Sequence, residues 1–284
     1  MTAEEAPARA AGSEERWLRV CGQKFRVLIR RATTEPARPV VFLNGIGCRA
    51  DVLDDLVHGF DPSLEVIRLD PPGIGRSPVG FLPYGMPQMA WWVLRLLDQL
   101  GHEEVDVIGY SWGGVVAQQM ALQADRRVRR MVLISTNTGS LSVPGKMLSM
   151  AMMFSPEAAQ LLHTDDKTIG RLYGGCARRR PHDVRRTLAP DFEDPGAGLP
   201  HQLMAAMSWT TLPMAWLIHQ PTLILAGTDD PMVPFINSQV LHQEITPSWL
   251  HSFDGGHLDP VLEPDWFSDE ISRFLTGSVA GVPG

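Results

Sequence analysis

Residues 105–123 read Val-Asp-Val-Ile-Gly-Tyr-Ser-Trp-Gly-Gly-Val-Val-Ala-Gln-Gln-Met-Ala-Leu-Gln. Val105–Ile108 is a short apolar run with the character of a strand, and Trp112–Gln123 reads as a helix. Between them stands Gly109-Tyr110-Ser111-Trp112-Gly113, a G-x-S-x-G sequence. Strand, sharp turn and helix in that order form the context in which a serine hydroxyl is held exposed above a helix N-terminus. The small residues Gly109, Gly113 and Gly114 fit a turn too tight for large side chains. The competing reading is an ordinary β–α turn with a helix-capping serine.

The same alternation extends to both sides. Pro39–Leu43, Leu64–Leu69 and Val128–Ser135 read as strands, with helices expected at Arg49–Phe60 and Pro87–Leu100. Trp17–Val20 and Phe25–Ile29 read as a hairpin around Gly22. From about Asn137 to His219 the strands stop, leaving helical pieces, turns and loops. The beat resumes with Thr222–Ala226, Phe235–His242, Trp249–Phe253 and Pro264–Leu275. This pattern predicts an α/β fold with a mostly parallel sheet, helices on both faces and a helical lid over the carboxyl ends of the strands. The expected division is a tail at 1–15, a core at 16–136 and 220–276, a lid at 137–219 and a second tail at 277–284.

A serine needs a base, and the base needs an orienting acid. Thr222–Ala226 is followed by Gly227-Thr228-Asp229-Asp230-Pro231-Met232-Val233-Pro234, which offers two acids at a strand end. Asp230 is preferred because it fits the spacing G-x-x-D-x-x-x-P. Asp254-Gly255-Gly256-His257 follows the last strand, and His257 is the histidine so placed among nine. Ser111, Asp230 and His257 stand in the chain order expected for a triad on this fold. Trp112 and Ile46, the latter within Asn44-Gly45-Ile46-Gly47, are the expected N–H donors of an oxyanion hole. Asn44, Gly45, Tyr110, Met147, Met150 and Trp209 are the expected substrate contacts. No ligand spacing supports a metal site among His251, Asp254, His257 and Asp259, and no cofactor is expected.

Composition excludes other classes. With 44% hydrophobic and 20% charged residues the chain is expected to be globular, and a net charge of -7 disfavours nucleic acid as a partner. No apolar run is long enough to span a membrane. Met1–Arg16 carries four Glu and is not read as a secretory signal. Three scattered cysteines, Cys21, Cys48 and Cys176, suit a reducing compartment, so a cytoplasmic location is expected. Arg178-Arg179-Arg180 and Arg185-Arg186 are read as a solvated face of the lid. Seven of the 13 Met fall between residues 147 and 214, which suggests either lid packing or a soft apolar wall above Ser111.

These segments resemble the α/β-hydrolase superfamily over about residues 17–276. Several stretches are similar to the intracellular depolymerases of medium-chain-length polyhydroxyalkanoates: Phe42-Leu43-Asn44-Gly45-Ile46-Gly47, Val107–Gly114 with Ala117-Gln118-Gln119, Val143-Pro144-Gly145-Lys146, Leu172-Tyr173-Gly174-Gly175 and Gln220–Gly227. Pro190–Pro200 departs from the pattern, being rich in Pro, Asp and Gly rather than helix formers. The resemblance implies a cofactor-free serine esterase acting on a 3-hydroxyacyl polyester at a storage granule in the cytoplasm. A small-molecule carboxylesterase, a lipase-like enzyme or a C–C bond hydrolase would share the triad. A non-catalytic ligand-binding or granule-associated protein is the alternative outside enzymes.

Overall fold

Eight strands pair into one sheet: β1 (Ser13–Val20), β2 (Gln23–Arg30), β3 (Arg38–Leu43), β4 (Leu64–Leu69), β5 (Val105–Tyr110), β6 (Val128–Ile134), β7 (Thr222–Gly227) and β8 (Ser248–Phe253). Their spatial order is β1-β2-β4-β3-β5-β6-β7-β8. β2 runs antiparallel to both β1 and β4, and every pairing from β4 to β8 is parallel. The computed structural model describes residues 12–35, 37–146, 165–194 and 196–277.

Parallel strands need crossover helices, and these bury both faces of the sheet. The helices are α1 (Asp54–His58), α2 (Met86–Leu100), α3 (Trp112–Gln123), α4 (Asp166–Tyr173), α5 (Pro181–Glu193), α6 (Leu199–Met207), α7 (Ile236–Glu244), α8 (Asp259–Leu262) and α9 (Asp265–Thr276). Successive strand residues point to opposite faces. Val41, Val107 and Leu133 pack with Leu94 of α2 and Val116 and Met120 of α3. Their neighbours Phe42, Ile108 and Val132 pack with Leu56 of α1 and Ile271 and Phe274 of α9. Among the described residues, 135–221 adds α4, α5, α6 and short 3-10 turns, with one isolated bridge between Gly139 and Thr210.

The structure differs from the sequence expectations in three places. β1 begins at Ser13, so Ser13–Glu15 belongs to the sheet and not to a tail. The cause is electrostatic. Arg26 of β2 donates to Glu15 at 2.9 Å and Arg31 to Glu14 at 2.9 Å, so acids that read as solvated are held at the sheet edge. The helix expected at Arg49–Phe60 is a 3-10 turn at Ala50–Leu53 followed by α1. There the buried Arg68 donates to the Ala50 carbonyl at 2.9 Å and to Asp54 at 2.6 Å. α5 runs through Pro190, although an interior proline costs a helix about 3 kcal/mol. Its last turn is anchored from outside, because Asp191 accepts the Arg49 N–H at 3.1 Å.

The turn between β5 and α3 is fixed by close backbone approach. A Cβ on residue 109 would stand 2.5 Å from Gly114 Cα, and one on residue 113 would stand 2.1 Å from the Leu43 carbonyl oxygen. The start of α3 therefore lies directly against the end of β3. Gly113→Ala is expected to destabilise the protein by about 3 kcal/mol or more, since backbone and not a flexible side chain would have to move. Urea denaturation checks this, and a loss under about 1 kcal/mol would contradict the packing.

Candidate active site

The carboxyl ends of β3, β5, β6, β7 and β8 lie along one edge of the sheet, in parallel register. The loops leaving these ends carry the chemistry expected from the sequence. Ser111 follows β5 with φ 53 and ψ -118, a backbone conformation that non-glycine residues rarely hold. Its N–H donates to the Ile134 carbonyl at 2.9 Å. Its own carbonyl accepts from Gly114 N–H at 2.9 Å and from the Thr136 hydroxyl at 2.6 Å. These bonds hold the strained turn in place.

His257 follows β8, and its Nε2 stands 3.1 Å from Ser111 Oγ. Its Nδ1 stands 2.7 Å from Asp230 Oδ2. The other Asp230 oxygen accepts the N–H groups of Met232 and Val233, each at 2.9 Å. The ring and the acid are both buried. The backbone of His257 is held as firmly: its N–H donates to the Tyr173 carbonyl at 2.7 Å, and its carbonyl accepts the Tyr110 hydroxyl at 2.5 Å. Asp229, the other acid of the loop, turns away. It accepts both guanidinium arms of Arg178, at 2.8 and 2.9 Å, and the Gly175 N–H at 2.9 Å.

The family model for the alpha/beta hydrolase fold matches residues 38–264. The chain belongs to the α/β-hydrolase family. It is 36% identical over 237 residues to a poly(3-hydroxyalkanoate) depolymerase of Ectopseudomonas oleovorans, covering 84% of each chain. It is 23% identical to 3-oxoadipate enol-lactonase 2 of Acinetobacter baylyi, over 83% of this chain and 88% of that one. Among solved structures, an enol-lactonase from Burkholderia xenovorans superposes with a TM-score of 0.78 at 22% identity, over 92% of this chain and all of the other.

In this α/β hydrolase a cavity of about 390 Å³ opens beside Ser111. Its walls include Ile46, Trp112, Val115, Leu203, Met207 and Met232 and are mostly apolar. Ile46 lies in the loop after β3, where the other N–H groups are engaged. Gly45 N–H bonds the Asn44 side chain at 2.8 Å, Gly47 N–H bonds Gln202 Oε1 at 2.8 Å, and Cys48 N–H bonds the Gly45 carbonyl at 3.4 Å. Ile46 N–H has no partner among the described residues. Trp112 N–H opens α3 and so lacks an intrahelical acceptor.

Several expected substrate contacts have other roles. Asn44 is buried, and its amide donates to the carbonyls of Cys48 and Arg49 at 3.2 and 2.5 Å, so it shapes the loop and is not part of the cavity wall. Tyr110 is buried against the His257 ring, with centroids 5.4 Å apart, and burial pushes its phenol well above the ordinary range, so it stays a neutral donor. Trp209 donates to Gln119 at 2.8 Å and does not line the cavity. A Cβ on residue 45 would stand 3.6 Å from Ser111 Cβ and 3.7 Å from the Tyr110 ring, ordinary contact distances, so Gly45 lies beside both residues. Met147 and Met150 lie outside the described residues. Three of the four side chains weighed as a metal cluster are spent separately: His251 on Glu270 at 2.6 Å, His257 on Asp230, and Asp259 on the N–H groups of Gly256 and Cys176 at 2.9 and 3.0 Å, while Asp254 is exposed.

Sequence reasoning missed the residues that bind these loops to the stretch between β6 and β7. Tyr173, Gly175, Cys176 and Arg178 hold the acid and histidine loops, while Gln202 and Asp191 hold the loop that carries Ile46. Tyr-Gly-Gly was a visible motif, but nothing in the helical spacing of Gln202 or Asp191 shows that they reach back to residues 47 and 49. Asp191 is also buried, with Oδ2 lacking a hydrogen-bond partner among the described residues. Burial raises its carboxyl to about 6, against the opposing pull of the Arg49 N–H and guanidinium. The folded protein therefore holds that proton more tightly than the unfolded chain. Its contribution to stability falls as pH rises from about 4 to about 6. Asp191→Asn keeps an acceptor for Arg49 N–H and removes the buried charge. Its urea midpoint should gain on the parent's between pH 4 and pH 7, and a gap that does not change with pH would refute the assignment.

Proposed function

We propose that this α/β hydrolase is a serine esterase and that its substrate is an apolar polyester, poly(3-hydroxyalkanoate), which it cuts to 3-hydroxy acids. The observation that carries the reading is the continuous hydrogen-bonded line from Asp230 through His257 to Ser111 Oγ, at 2.7 and 3.1 Å, opening on an apolar cavity. His257 takes the Ser111 proton as Oγ attacks the ester carbonyl. The oxyanion that forms is stabilised by the N–H groups of Ile46 and Trp112. Asp230 keeps the proton on Nδ1, so that Nε2 is the base, and balances the imidazolium. His257 then protonates the leaving alkoxide, and in the second half it activates the water that releases the acid. No step calls for a metal or an organic cofactor.

The choice of substrate rests on the 36% identity to the depolymerase and on the cavity walls. Met207 and Met232, unbranched and polarizable, can fit side chains of variable shape. The stretch 137–219 serves as the lid over this cavity, and the reaction belongs at a cytoplasmic storage granule. A second reading, a hydrolase of small soluble esters or lactones, is favoured by the enol-lactonase likeness.

Ser111→Ala should abolish hydrolysis of a chromogenic acyl ester. Asp230→Asn should lower kcat by about 10⁴ through the wrong imidazole tautomer, whereas Asp229→Asn should keep it within about tenfold. Equal losses for the two acids would remove Asp230 from the triad. On suspended amorphous medium-chain polyester, the enzyme should clear turbidity and release 3-hydroxy acids. Turnover of soluble esters with no clearing would favour the second reading.

A further inference from the structure

A second concave surface lies on the same edge of the sheet as Ser111, formed by the β1–β2 turn and the long loop between β4 and α2. This groove, about 770 Å³, has Arg19 and Lys24 on one side and Val79, Phe81, Leu82 and Trp91 on the other. Phe81 is 99% exposed and Leu82 is 68% exposed, so two large apolar side chains project into solvent at one tip. The tip is not slack. Pro78 and Pro83 restrict it on both sides, and Gln23 of β2 donates to the Pro78 carbonyl at 2.8 Å.

The charge around the tip is as unusual as its exposure. The chain carries a net charge of -7, yet no Asp or Glu occurs from Pro71 to Leu97. Arg76 and Arg95 within that stretch are matched by Glu15 and Asp98 from outside it. Arg19 and Lys24 form no ion pair among the described residues. Arg19 reaches only the Gly22 carbonyl at 3.4 Å, and Lys24 lies 4.0 Å above the Trp17 ring. The groove thus presents two unmatched cations beside an apolar wedge and aromatic side chains, the combination that suits the boundary between lipid headgroups and acyl chains.

We propose that the Val79–Leu82 loop is a docking wedge for an anionic phospholipid surface. Phe81 and Leu82 enter the acyl region, and Arg19 and Lys24 meet the lipid phosphates. A neutral polyester surface would accept the wedge but gives the cations nothing to pair with. A folded protein partner would need a pocket for two projecting side chains, whereas a lipid phase yields to them. The long connection between β4 and α2, of which this loop is the tip, is also tied to the cavity wall: Gly198, which opens α6, donates to the Gly73 carbonyl at 2.9 Å, and α6 carries Leu203 and Met207. Docking by this loop brings the sheet edge that bears Ser111 to the lipid surface.

The test is sedimentation of the full chain with vesicles of pure phosphatidylglycerol and of pure phosphatidylcholine. The protein should bind phosphatidylglycerol at least about tenfold more tightly, and raising salt should weaken that binding. Phe81→Ser with Leu82→Ser should cut binding about tenfold or more. Arg19→Glu with Lys24→Glu should abolish the preference for phosphatidylglycerol. Far-ultraviolet circular dichroism shows that each variant is folded, and unchanged turnover of a soluble ester shows that the site of Ser111 is untouched. Equal binding to both lipids, no binding, or binding indifferent to either double variant would overturn the proposal. So would a dimer of the parent protein that the wedge variant dissolves, which would assign the loop to a second copy of the chain. Because folding is read independently of catalysis, these results stand apart from the fate of the esterase reading.

Discussion

A side chain at residue 113 would collide with the carbonyl of Leu43, and the rest of the site depends on that contact. It brings the start of α3 against the end of β3, so two loops that are far apart in sequence share one wall. The loop after β3 carries Ile46, and the turn into α3 carries Ser111 and Trp112. Backbone pressed on backbone leaves little freedom for sliding, which is the condition for N–H donors to be fixed before charge develops. The unfavourable dihedral angles of Ser111 follow from the same geometry. A strand that must turn into a helix within one residue, against a neighbouring strand end, has no relaxed path to take. The hydrogen bond from Ser111 N–H to Ile134 and those its carbonyl accepts from Gly114 and Thr136 keep the turn closed.

The acid and histidine loops also pack backbone on backbone, a Cβ on residue 227 standing 2.4 Å from the Gly255 carbonyl oxygen, and they are held from above as well. The segment from Tyr173 to Arg178 bonds to both the acid loop and the histidine loop, and Asp259 cross-links that segment to Gly256. Gln202 and Asp191 do the same for the loop of Ile46 and Arg49. The polypeptide between β6 and β7 is thus part of the site's framework. A rearrangement that lifted α4 or α6 as a whole would release the backbone of His257 or the partner of Gly47.

The sheet was legible because its signal is local. Strands such as Met131–Ile134 are buried on both faces and read as unbroken apolar runs, and the G-x-S-x-G turn needs its glycines for steric reasons that composition displays. Spacing favours Asp230 over Asp229, and the two carboxylates are placed differently: Asp230 meets His257, while Arg178 and Gly175 hold Asp229 elsewhere. What the sequence could not display was long-range pairing. Glu14 and Glu15 resemble a solvated tail until Arg26 and Arg31 are placed opposite them. Pro190 resembles a helix end until Asp191 is seen anchored to residue 49. Asn44 and Tyr110 looked like substrate contacts because they flank the reactive loops, yet their polar groups are consumed in building those loops.

Rigidity and softness are distributed unevenly around Ser111, and the distribution has a chemical sense. Below the serine, the backbone of the turn, the two oxygens of Asp230 and the backbone of His257 on both sides are all hydrogen-bonded. Beside it, the cavity wall is mostly apolar, with the flexible Met207 and Met232 among its residues. In the proposed reaction a mostly apolar wall strengthens the few fixed dipoles that face the reacting carbon, because the effective dielectric beside it is low. It also exerts no directional demand on the rest of the ligand, since apolar contact is non-directional. Such a site fixes the reacting group closely and the remainder loosely, a division suited to substrates that share an ester and vary in their hydrocarbon.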